Sequence, residues 1–63
     1  MKYMIFDDGN MVDSFDDEAE AAAAFDDLAA VPDATNRLVL AAFDETGEAV
    51  ATAIPGERLV IPA

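Results

Sequence analysis

Ser14-Phe15-Asp16-Asp17-Glu18-Ala19-Glu20-Ala21-Ala22-Ala23-Ala24-Phe25-Asp26-Asp27-Leu28-Ala29-Ala30 is the stretch whose pattern follows a helical period, and its reading decides how the flanking segments must fold. Ser14 followed by Asp17 has the spacing of a capping box with Asp in the place of Glu. The acids at Asp16, Asp17 and Glu18 crowd the first turn, where the helix dipole favours negative charge. Alanine is the best helix former, and Val31-Pro32 disfavours continuation, so the spacing predicts a helix of about four turns from Ser14 to Ala30. At about 100° per residue Phe15, Ala21, Ala22, Phe25, Leu28 and Ala29 share one arc, and Asp16, Glu20 and Asp27 lie opposite. Small alanines on the inner arc let such a helix lie close on a sheet.

The flanking segments carry strand signals. Upstream, Lys2-Tyr3-Met4-Ile5-Phe6 is a short apolar run ending in the turn cluster Asp7-Asp8-Gly9-Asn10. A short return arm, Met11-Val12-Asp13, completes a hairpin. Downstream, after the polar link Asp33-Ala34-Thr35-Asn36, residues Arg37 to Phe43 are apolar on both faces, as a central strand would be. Asp44-Glu45-Thr46-Gly47-Glu48 reads as a type I turn with a bulge and Gly47 in the left-handed position, and Ala49 to Ile54 returns. Pro55-Gly56 turns the chain again before a last short strand, Arg58-Leu59-Val60-Ile61. The expected fold is therefore α+β in the order β-β-α-β-β-β, with one amphipathic helix on a small antiparallel or mixed sheet of four to five short strands. One helix cannot cover both faces of such a sheet. The open face is left for self-association or partner docking, or carries only scattered apolar surface.

Sixty-three residues make one domain, and a chain this short buries only about 60% of the surface that it exposes when unfolded. With no Cys and no His, neither disulfides nor the common zinc sites can reinforce it. The charge is the most unusual feature: 14 Asp and Glu against Lys2, Arg37 and Arg58 give a net charge of -11. Such charge can signal disorder, but 54% hydrophobic residues in periodic segments argue for a folded chain. The N-terminal apolar run is too short for a signal peptide and no stretch has the length to span a membrane, so the expected location is cytoplasmic.

Several chemistries find no support. Ser14, the only Ser, has no His or Cys near which to act as a nucleophile, and Gly9, Gly47 and Gly56 stand alone rather than in a phosphate loop. A sugar cleft with one raised carboxyl pKa needs more chain than this. Asp7, Asp8, Asn10 and Asp13 cluster, yet neither Gly9 nor Gly47 fits the sixth place of a calcium-binding EF-hand loop. Enzymatic activity and cofactors are therefore not expected. Three basic residues cannot neutralise a phosphate backbone, so direct nucleic-acid binding is not expected either.

Three uses of the acid stay open. It can be solvation in a salty cytoplasm, it can steer an accessory or dimerisation domain that docks through apolar sheet residues such as Leu38, Leu40, Val50 or Ile54, or it can imitate nucleic acid. Imitation requires carboxylates in rows on a rigid support. Asp16, Glu20 and Asp27 supply a row on the helix, widened by Asp17, Asp26, Asp7, Asp8 and Asp13, with Asp44, Glu45 and Glu48 as a second patch at the opposite hairpin. Residues 14 to 36 contain no basic residue, whereas a solvated helix normally mixes signs. In size, charge and mixed α/β pattern the chain resembles the small phage-encoded anti-CRISPR inhibitors, several of which are DNA mimics. That resemblance implies a non-enzymatic inhibitor in the host cytoplasm. Its acids around Asp16, Glu20 and Asp27 would enter the basic DNA-recognising groove of a partner such as a CRISPR effector complex.

Overall fold

A computed structural model describes residues 1–31 and 37–62. Its elements are β1 (Lys2–Asp7), β2 (Asn10–Phe15), α1 (Glu18–Ala29), β3 (Leu38–Phe43) and β4 (Ala49–Ala53). The strands form one antiparallel sheet in the order β2-β1-β3-β4, and α1 packs on one face, so the class is α+β. Asp8 and Gly9, both at positive φ (54° and 86°), make the two-residue turn of the first hairpin. From the end of β2, α1 carries the chain across the sheet so that β3 can pair with the other side of β1.

The helix begins later than its sequence pattern predicts. Asp17 is the N-cap, with extended backbone and no side-chain cap bond. Ser14 stays in β2, where its amide donates to Asp13 Oδ1 at 2.9 Å. The reason is pairing. Phe15 lies opposite Tyr3 in the ladder and packs on the core from a strand, so β2 gains five paired residues where a helix would have gained one capped turn. The return arm is accordingly longer than Met11-Val12-Asp13, and it absorbs a bulge between Ile5 and Phe6 of its partner register.

The last strand does not form. Residues 58–62 join no ladder, because the turn at Pro55-Gly56 redirects the chain off the sheet edge; Glu57 N donates to Ile54 O at 3.0 Å, and Ile54 N donates to Glu57 Oε1 at 3.1 Å. Leu59 and Ile61 instead pack on the core beside α1, with Val60 between them pointing out. The order is thus ββαββ. The polar link at 33–36 lies outside the described residues.

Alternation in β1 and β3 sorts the side chains. Tyr3, Ile5, Leu38, Leu40 and Ala42 are buried with Ala21 and Phe25 of α1 to form the core, flanked by Phe15, Ala24, Ala29, Val50 and Ala51. Of the arc expected to face inward, Ala22 is exposed and Leu28 is 40% exposed, so the buried stripe is centred on Ala21 and Phe25. Leu38 and Leu40 therefore lie on the helix side of the sheet, nearly fully buried, and not on its open face. On the opposite face Met4, Phe6, Val39 and Phe43 are half-buried around a buried Ala41, with the Phe6 and Phe43 rings edge-to-face at 6.3 Å. No helix among the described residues is long and apolar enough to cross a membrane.

Candidate acidic surface

The register locates the acids. Phe43 lies beside Lys2, and Phe15 beside Tyr3, so the β3–β4 turn, the end of β2 and the start of α1 share one end of the sheet. Asp16, Asp17, Glu18, Asp44, Glu45 and Glu48 gather there. Asp7 and Asp8 occupy the other end, toward which α1 runs.

Not all of these carboxylates are available. Asp16 precedes the helix rather than belonging to its face, and its Oδ1 is 2.9 Å from Lys2 Nζ. The hydrogen bond and charge of Lys2 hold its carboxyl below the ordinary aspartate value. Asp7 is paired with Arg37, its Oδ1 3.1 Å from Nε. Asp44 is a turn residue in the structural sense: its Oδ1 accepts from Thr46 Oγ1 at 2.6 Å, Thr46 N at 2.9 Å and Glu48 N at 3.0 Å. Those donors, the Thr46 hydroxyl foremost and the Glu48 amide next, hold its carboxyl low. The row expected along Asp16, Glu20 and Asp27 is therefore shorter, because its first member is neutralised within the chain.

What remains is the helix itself. Asp17, Glu18, Glu20, Asp26 and Asp27 are all exposed, and among the described residues none of them has a cation within 4.0 Å. Glu20 and Asp27 are two turns apart, about 10 Å along the axis. Glu18 and Glu20 sit in the first turn, where the dipole stabilises them, but Asp26 and Asp27 sit in the last turn, where it opposes them and where no basic residue is present. Asp8, Asp13, Glu45 and Glu48 are also exposed, at the hairpins and on β2.

A groove of about 570 Å³ runs between α1 and the segment 56–59. Phe25, Leu40 and Leu59 give it an apolar floor, and Glu18, Asp26 and Glu57 with Arg58 stand around it. Glu57 and Arg58 were not legible as surface partners of the helix, since the strand-like alternation of Leu59-Val60-Ile61 assigned that segment to the sheet. A lysine or arginine side chain fits such a groove chemically, its stem on the floor and its head among the carboxylates.

No protein-family model, no curated protein and no solved structure matches the chain.

Proposed function

We propose that this protein is a non-enzymatic acidic binding protein whose helix side occupies a basic, nucleic-acid-binding surface of a partner protein and so blocks it. The observation that carries this reading is the sign of the charge in the last turn of α1. Asp26 and Asp27 stand where the dipole disfavours them, and the last turn of α1 holds no basic residue. A helix selected only for solubility and stability would place Lys or Arg there. Together with Asp17, Glu18 and Glu20 they make the exposed surface of a rigid element single-signed, which is what a basic groove built for phosphates would accept. Asp16, Asp7 and Asp44 have in-chain partners and contribute to the fold more than to the row. A CRISPR effector complex is one partner of this kind.

The test exploits the conflict between stability and binding. Changing Asp26 and Asp27 together to Lys should raise the thermal midpoint, since the dipole then favours the charge. The same change, with Glu20→Lys added, should abolish capture of a nucleic-acid-binding protein from host lysate. Capture by the wild type should be released by salt and by competitor DNA. A variant that captures the same protein as strongly as the wild type would sink the reading. If the acid served salt adaptation alone, the wild type would unfold at low salt and capture nothing.

A further inference from the structure

The groove between α1 and the segment 56–59 has a shape that charge alone does not give. Glu18, Ala22 and Asp26 follow one another at four-residue spacing and so form one ridge of the helix along it. The two carboxylates stand about 12 Å apart along the axis, and the exposed Ala22 leaves a gap between them. That gap opens onto Phe25, Leu40 and Leu59. On the other wall Gly56 turns the chain at φ +92°, and Glu57 is held at the turn by its bond from the Ile54 amide. Arg58 lines the same wall, and among the described residues no carboxylate lies within 4.0 Å of it.

We infer that this groove takes an arginine side chain of the basic partner, entering over Ala22 with its stem on the apolar floor and its guanidinium among Glu18, Asp26 and Glu57. The inference rests on the proposed function for the basic character of the partner and adds where one of its side chains goes. Two features choose the occupant. Three carboxylates against one guanidinium leave the rim negative, which selects a cation and disfavours an acidic or phosphorylated ligand. The floor then selects among cations. A metal ion gains nothing from Phe25 and Leu59, and the compact head of lysine is strongly hydrated, whereas arginine carries a flat, weakly hydrated head on an apolar stem. At about 570 Å³ the groove is in the size range of pockets that hold small ligands, enough for the side chain and the backbone beside it. Asp17, Glu20 and Asp27 do not line it and offer a cation charge without a floor.

The test titrates the whole chain, labelled for heteronuclear NMR, with the peptide acetyl-Gly-Arg-Gly-amide and with acetyl-Gly-Glu-Gly-amide as the acidic counterpart. The arginine peptide should shift the amides of Ala22, Phe25 and Leu59 most, and the acidic peptide should shift none of them. Ala22→Leu fills the gap with no change of charge, and leucine at an exposed helical position keeps the fold. By denying the stem its floor it should weaken arginine binding about tenfold, the worth of roughly two buried methylenes. Arg58→Ala removes a competing cation and should tighten binding about two- to fivefold, while Asp27→Asn, outside the groove, should stay within about twofold of the wild type. Shifts spread evenly over the acidic surface and unchanged by Ala22→Leu overturn the inference. So does an Arg58→Ala variant that binds more weakly, or a wild type that shows no shift. Failure of the proposed function reads differently. A wild type that binds the peptide in the groove yet captures no nucleic-acid-binding protein supports the inference and removes the proposed partner, whereas capture undiminished by Ala22→Leu keeps that partner and overturns the inference.

Discussion

Four consecutive alanines, Ala21 to Ala24, run from buried through exposed to half-buried, and substituting them one at a time tests the helix placement. Ala21 is 0% exposed and faces the core with Phe25, whereas Ala23 points to solvent. Ala21→Leu adds three carbons at a fully buried position of the core cluster that includes Tyr3, Ile5 and Ala42. Overpacking of this kind costs about 1–3 kcal/mol. A chain of 63 residues has a total stability of about 3–9 kcal/mol, so the loss is a large share of it. Each 1 kcal/mol shifts the midpoint of so small a domain by roughly 4–8 °C, and Ala21→Leu should lower it by about 8–16 °C if it costs near the middle of that range. Ala23→Leu changes helix propensity little and should stay within about 0.5 kcal/mol of the wild type. The assay is thermal and urea unfolding followed by far-ultraviolet circular dichroism. Equal midpoints for the two variants would refute the packing of Ala21 against the sheet.

Asp44→Asn should destabilise the second hairpin at neutral pH. Because Asp44 is held low in the folded state, its contribution is present above the unfolded value of 3.8 and is lost as pH falls through the lower folded value. The difference in midpoint between wild type and variant should therefore be full at pH 6 and shrink below about pH 4, and a difference independent of pH would exclude this role. Gly47→Ala places a side chain at φ +85° in open space, so it should cost about 1–2 kcal/mol from backbone strain alone; urea unfolding that finds no loss would place Gly47 outside the left-handed region.

Much of this fold was legible because its signals are local. Asp8-Gly9 and Gly47 mark both hairpin turns, the apolar run through Phe43 marks a central strand, and the alanine-rich period marks the helix. The errors lie where local and tertiary preferences conflict. Ser14 has a capping pattern, but the ladder with β1 outbids it. Residues 58–61 have strand alternation, but the uncovered core beside α1 takes Leu59 and Ile61 instead. The candidate surface was legible as composition and only partly as geometry. That Asp16 meets Lys2 and Asp7 meets Arg37 depends on which strand ends lie together, and nothing within either segment encodes it. The burden of Asp26 and Asp27 on the last turn became visible once the helix ends were known.

The helical crossover from β2 to β3 also governs how the chain can form. Each hairpin closes locally, but the central pairing of β1 with β3 joins residues more than thirty positions apart. A two-stranded ribbon of this length is at best marginal in water, and the apolar side of neither hairpin has cover until the other docks. Assembly is thus tied to one long-range encounter, which sets a slow, all-or-none step for a chain of this size. A chain cut after Val31 would leave two halves that cannot fold alone but carry complementary edges, β1 on one and β3 on the other, through which they can find each other.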